Sequence, residues 1–102
     1  MNVELVSLVL VHFLCNAQAE ITRMSMGEAM YCSENFEDLK ASLHPDLTPE
    51  KFRKLDDRRR GRASVEGYGY YKDWVAANPE LVARLKDTAA LLASAQAASQ
   101  TN

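Results

Sequence analysis

The chain has 102 residues, of which 47% are apolar and 25% charged, and its formal net charge is −2. A chain of this length holds one domain at most, and its balance of apolar and charged residues excludes wholesale disorder. The acidic balance argues against a nucleic-acid-binding protein, a class that typically carries an excess of positive charge.

An apolar run over residues 5–15 predicts an export signal at the N-terminus. The run is shorter than the roughly 20 apolar residues that a bilayer-spanning helix needs, and it has the length of a signal-peptide core. Ala17, Gln18 and Ala19 then give the small-x-small pattern that signal peptidase recognises. We therefore expect residues 1–19 to be a signal peptide cleaved after Ala19. The mature protein would be periplasmic or secreted, with no stable membrane span.

The alternative is that the apolar run forms a buried N-terminal helix or strand of an intracellular protein. Glu4 precedes the run and no Lys or Arg does, which is unusual for a signal peptide. Lipid attachment is not expected, because Leu14 stands before Cys15 where a lipoprotein signal has a small residue. If Cys15 leaves with the signal, Cys32 remains alone, and we expect it to be buried, paired with another chain or reactive.

The residues after the signal predict an all-α fold, a small bundle of three to four short helices over residues 20–94. The first helix is expected from about Thr22 to Leu43, because Pro45 disfavours helical geometry in the residue before it. Its apolar face follows a helical spacing through Cys32, Phe36, Leu39 and Leu43.

Two cap-and-proline signatures mark further helix starts. Thr48 followed by Pro49 begins the second helix, and Asn78 followed by Pro79 begins the fourth. Residues 95–102 lack large apolar side chains and are expected to form a flexible C-terminal tail.

The sequence allows two interpretations of the region before the third helix. The second helix is expected to end before Gly61, and Ser64 then caps a third helix that runs to Ala76 or Ala77. Glycines such as Gly67 each cost about 1 kcal/mol in a helix, so a loop over residues 60–69 is the alternative.

Charge is strongly segregated along the chain. The segment from Glu20 to Glu50 contains seven acidic and two basic residues, which gives it a net charge of −5. The segment from Lys51 to Arg62 contains seven basic and two acidic residues, which gives it a net charge of +5. The first helix can therefore pair with the second, although exposed ion pairs contribute only about 0–1 kcal/mol each. A solvated basic face without a partner is the simplest alternative.

A basic segment followed by aromatic residues is the candidate partner-binding site. Guanidinium groups match carboxylate and phosphate geometry, and aromatic side chains add stacking and apolar contact. We expect a small exported, non-enzymatic binding protein: an accessory subunit, an inhibitor or immunity-type protein, or a small chaperone. Its partner would be another protein or an acidic surface ligand, not nucleic acid. The candidate partner-binding residues are Arg58, Arg59, Arg60, Arg62, Tyr68, Tyr70 and Trp74. Core packing is the simpler interpretation of Tyr68, Tyr71 and Trp74.

A second hypothesis is a periplasmic protein that binds copper as its cofactor. Thioether and thiolate ligands are soft and select Cu(I), and Met26 and Met30 lie one helical turn apart. The alternative is that the methionines fill gaps in the core. The candidate metal ligands are Met24, Met26, Met30 and Cys32.

The sequence also bears on other classes of function. Residues 59–62 fit a loose pattern for cleavage by a processing protease. The sequence has no cluster with zinc-ligand spacing, no P-loop and no nucleophile motif, so we do not predict an enzyme. A thin core also allows a helical homodimer, with Cys32 near its seam.

Overall fold

The computed structural model describes residues 2–100, and within them it contains α-helices and no strand. The small all-α bundle expected from the sequence is confirmed. A short connecting helix over residues 49–53 precedes a long helix over residues 57–77. The helices are α1 (Val3–Ile21), α2 (Met26–Leu43), α3 (Pro49–Arg53), α4 (Asp57–Ala77) and α5 (Pro79–Gln100).

A capping box fixes the start of α2. Ser25 Oγ accepts the backbone N–H of Glu28 at 3.1 Å, and the Glu28 carboxylate accepts the Ser25 N–H at 3.0 Å. This reciprocal pair satisfies two backbone donors that would otherwise lack partners at the helix start. The helix therefore begins at Met26 rather than at the expected Thr22.

The expected boundary between the helix that starts after Thr48 and the helix expected to start after Ser64 is wrong. Helix α3 ends at Arg53, and α4 begins at Asp57, capped by the side chain of Asp56. Gly61 therefore lies inside α4, and residues 60–69 are helical rather than a loop. The aspartate cap contributes about 1 kcal/mol to the helix start, and it opposes the local cost of the glycine.

Gly67 has a packing reason to lie within α4. Helix α4 crosses α2 at Lys40, and a Cβ atom on residue 67 would stand 2.8 Å from Lys40 Cβ. It would also stand 2.9 Å from the Lys40 carbonyl oxygen. Because glycine has no Cβ, the two helices can approach this closely.

The core lies where α1 packs along α5 and α2. Val9 of α1 and Leu39 of α2 are completely buried, and Phe13 lies beside them. In the full chain, therefore, the apolar run near the N-terminus contributes core side chains. Partly buried side chains complete this cluster, among them Leu8, Phe36, Tyr71, Trp74 and Leu85.

A disulfide joins α1 to α2 through Cys15 and Cys32, whose Cα atoms are 5.9 Å apart. The expectation that Cys32 has no partner within the chain depends on removal of Cys15; while residues 1–19 are present, the two cysteines are bonded to each other. Cys15 is buried, and Cys32 is partly exposed.

Helix α5 continues beyond Ser94 to Gln100. The alanine-rich sequence favours this extension, since alanine has the highest intrinsic helix propensity. Gln96 also accepts a hydrogen bond from the side chain of Gln18 in α1. Residues 95–100 of the expected tail are thus helical, and residues 101–102 lie outside the described part of the chain.

Candidate partner-binding face

The outward side of α4 presents the exposed part of the basic segment. Arg58, Arg62 and Val65 follow one another at spacings of four and three residues, which places them on one side of the helix. All three are exposed, Val65 at 76% of its full accessibility. Within residues 2–100, neither arginine has an ion-pair partner. We call these three residues the α4 face.

The other two arginines of the cluster pair with the start of their own helix. Arg60 donates a hydrogen bond to the carboxylate of Asp57. Arg59 Nε lies 3.6 Å from Asp56 Oδ2, with both side chains mostly exposed. Such exposed pairs are weak, but they occupy donors that an incoming partner would use. Arg59 and Arg60 are therefore less available than the residues of the α4 face.

Tyr68 and Tyr70, both exposed, flank the α4 face on opposite sides, as their positions on the helix require. Tyr68 is 48% exposed, and Lys72 Nζ lies 5.4 Å from the centre of its ring. The ring of Tyr70 makes an edge contact with that of His44 at 5.3 Å. Trp74 is partly buried against the core and does not join the exposed face.

His44, at the C-terminal end of α2, hydrogen-bonds to α4 and contacts the ring of Tyr70. Its Nδ1 accepts the backbone N–H of Asp46 at 3.1 Å. This bond leaves Nε2 to donate to Glu66 Oε1, also at 3.1 Å. In the sequence, His44 is simply a histidine before a proline. In the structure its side chain is largely buried and hydrogen-bonds to both Asp46 and Glu66.

A buried lysine of α2, Lys40, packs against α4 on the side opposite the α4 face. Lys40 is only 8% exposed, and its Nζ lies 2.6 Å from Ser64 Oγ and 2.6 Å from Glu37 Oε1. Ser64 in turn donates to Glu37 at 3.1 Å. Burial of a charged group is costly unless it is paired and hydrogen-bonded, and this closed triangle meets both conditions. The only sequence signal is that Lys40 directly follows a core leucine.

Within residues 2–100, one ion pair connects the acidic part of the chain to the basic part. Arg53 Nη2 of α3 donates to both carboxylate oxygens of Asp38 in α2, at 2.9 and 3.0 Å. The expected pairing of acidic and basic helices therefore occurs at α3. It leaves Arg58 and Arg62, which follow in α4, facing solvent.

A cluster of rings joins α1, α2 and α4 on the inner side of the bundle. His12 stacks on Phe36 with ring centres 4.1 Å apart, and Tyr71 meets His12 edge-on at 5.3 Å. Burial lowers the pKa of His12, and the nearby charge of Lys40 lowers it further. Burial also raises the pKa of Tyr71, with a smaller contribution from Tyr68. Both rings therefore favour their neutral forms, which suits stacking.

The proposed copper ligands do not form a site with a thiolate in this structure. The sulfur of Cys32 is bonded to Cys15, and Met26 and Met30 are both exposed on α2. Met24 lies in the linker before that helix. Across residues 2–100, no group of three or more His, Cys, Asp or Glu side chains is arranged to hold a metal ion.

By its length and composition alone, helix α1 is apolar enough to cross a membrane, a property that the core helices of soluble proteins share. An N-terminal signal sequence has the same character, so α1 is compatible with export. No protein-family model matches the chain, and no curated protein or solved structure is significantly similar to it.

Proposed function

We propose that this chain is a small exported, non-enzymatic interaction protein that docks an acidic surface of another protein through the α4 face. The observation that supports this function is the exposed row of Arg58, Arg62 and Val65. The guanidinium groups of the two arginines lack ion-pair partners within residues 2–100, so their donors are available to carboxylates.

The spacing of the α4 face suggests what it recognises. Arg58 and Arg62 stand one helical turn apart, about 6 Å between Cβ atoms, which matches two carboxylates one turn apart on an acidic helix. Val65 adds an exposed apolar contact at the end of the row, and Tyr68 and Tyr70 border it. Arginine and tyrosine are both enriched at protein interfaces. An acidic helical segment of a partner protein is therefore the proposed ligand.

The α4 face is also rigidly supported, which favours binding. The Lys40 hydrogen bonds and the close approach at Gly67 fix α4 against α2. A preorganised surface loses less conformational entropy when a partner docks.

Two observations support export. Helix α1 is apolar and N-terminal, and Ala17-Gln18-Ala19 follows its apolar core as a signal-peptidase pattern. The Cys15–Cys32 disulfide is the kind of bond that forms and persists in the periplasm or outside the cell. We therefore propose a periplasmic or secreted location, with processing after Ala19.

The test uses a fluorescent helical peptide with glutamates one turn apart, titrated with the protein at low ionic strength. In the Arg58→Glu/Arg62→Glu variant, anisotropy should show affinity lower by at least about tenfold, because attraction becomes repulsion. The matched control is Arg23→Glu/Arg84→Glu, which makes the same charge change at two exposed positions away from α4.

An equal loss in both variants would mean that only net charge matters, and the α4 face would not be a binding site. Phosphatidylglycerol vesicles are titrated in parallel. If the same two arginines governed vesicle binding but not peptide binding, the partner would be an anionic membrane instead of a protein.

A further inference from the structure

The disulfide spans the bond at which the leader is expected to be cut. Cys15 lies before Ala19 and Glu20, and Cys32 lies after them. The non-helical linker over residues 22–25 is also inside the closed loop. Hydrolysis of any peptide bond between the two cysteines therefore breaks the backbone without separating the two pieces.

Non-covalent contacts hold α1 in the same place. Val9 and Phe13 are buried in the core. The side-chain amide of Asn35 in α2, itself buried, donates to the carbonyl oxygen of Leu8 at 3.0 Å. Helix α1 is thus both bonded to α2 and packed into the fold, unlike a leader that only directs export.

We propose that the Cys15–Cys32 disulfide retains α1 as a resident helix of the exported protein, whether or not the chain is cleaved after Ala19. Release of residues 1–19 then requires two reactions. One is hydrolysis of the Ala19–Glu20 bond, which consumes a water molecule, and the other is reduction of the disulfide by a dithiol.

The surroundings of the disulfide allow the second reaction. Both cysteines line an open groove of about 390 Å³, together with Leu14, Gln18 and Tyr31. Cys32 is the more exposed of the two, so the groove leads an incoming thiolate to its sulfur.

The exchange balances without any other reagent. A thiolate of the dithiol attacks Cys32 Sγ, and the Cys15 thiolate leaves and takes up a proton. The second sulfur of the dithiol then displaces the Cys32 thiolate, which is protonated in turn. The dithiol ends as a disulfide, and the protein has two thiols.

Release of α1 would change the surface of what remains. Leu39, Val82 and Ala89 are buried together with Val9 and Phe13 in one cluster. Loss of α1 would expose those three side chains as an apolar groove. The oxidised protein therefore keeps this groove filled by its own N-terminal helix.

The test is an intact-mass measurement on the full chain, exported from a bacterial host with its own N-terminus and a C-terminal affinity tag. Cells are lysed into N-ethylmaleimide, which caps free thiols, and masses are read under denaturing conditions before and after dithiothreitol. Before reduction the mass should include residues 1–19, either in an uncut chain or in a cut chain heavier by one water. After reduction, a cut chain should lose the 1–19 peptide.

Two results would overturn the proposal: recovery of the 20–102 fragment alone before reduction, or N-ethylmaleimide adducts on Cys15 and Cys32 of the isolated protein.

If the chain is uncut, brief digestion with an arginine-specific protease supplies the break at Arg23, which is exposed in the linker. The oxidised wild type should keep residues 1–23 until reduced, and Cys32→Ser should lose them without reductant. Early loss from the wild type would contradict retention. The α4 face plays no part in either result.

Discussion

Gly67 of α4 lies so close to Lys40 of α2 that a Cβ on residue 67 would come within 2.8 Å of Lys40 Cβ. Ser64, one turn earlier in α4, is within hydrogen-bond distance of Lys40 Nζ. The backbone approach and the buried polar contact therefore occur at the same crossing. This crossing determines how α4 presents its outward side.

Gly67→Ala should destabilise the protein by about 1–3 kcal/mol. Alanine is the better helix former by about 1 kcal/mol, but its methyl group would collide with the Lys40 backbone and force the helices apart. Urea unfolding followed by circular dichroism measures the difference. The matched control is Gly61→Ala in the same helix, where nothing stands within 4 Å of an added Cβ. That control should raise stability by about 0.5–1 kcal/mol. Equal effects of the two substitutions would contradict a close crossing at Gly67.

Stability should fall as the pH is lowered through the unfolded-state pKa of His12. Burial and Lys40 hold the folded-state pKa of His12 below its usual 6.5, so the unfolded chain binds the proton more readily. Above about pH 6.5 both states are neutral, and below it protonation favours unfolding by up to about 1.4 kcal/mol per pH unit until the folded-state pKa is reached.

The measurement is urea unfolding at a series of pH values between about 7.5 and 5.5. His12→Phe keeps a flat ring against Phe36 and cannot titrate, so its stability should vary less over this range. If the variant lost as much stability as the wild type on acidification, His12 would not be the group responsible.

Removing the disulfide should lower the free energy of unfolding by about 3 kcal/mol. The two cysteines are separated by 17 positions, and closing a loop of this size restricts the unfolded chain by roughly that amount. The Cys15→Ala/Cys32→Ala variant is compared with the oxidised wild type by urea unfolding. The wild type reduced with dithiothreitol should match the variant to within about 1 kcal/mol, since both lack the cross-link. An oxidised wild type no more stable than either would show that the bond does not form or does not stabilise the fold.

The presence of a helix could be predicted wherever neighbouring residues in the sequence determine where it starts. Thr48 before Pro49 starts α3, and the Pro79 signature starts α5, as expected. A cap acts within one turn, so its effect can be inferred from neighbouring residues alone. The start of α4 was missed because Gly61 and Gly67 suggested a break, and only the tertiary contact with Lys40 shows why a glycine is needed.

The candidate site was predictable in composition but not in geometry. The arginine cluster was found, yet its division into exposed and paired members depends on where α4 begins. With the start at Asp57, Arg58 and Arg62 point outward, while Trp74 lies on the side that packs against the core. Predicting the disulfide required knowing whether residues 1–19 belong to the folded chain, and no local sequence pattern answers that question.

Helix α1, which is synthesised before the rest of the described bundle, packs along α5, which is synthesised after it. Val9 and Phe13 of α1 share a cluster with Val82 and Ala89 of α5, so they cannot be fully buried before α5 has been made. Folds that depend on contacts between distant parts of the chain form late, because the chain between them must be ordered first. Helix α1 therefore stays accessible until α5 has been synthesised, and the bundle closes only after that.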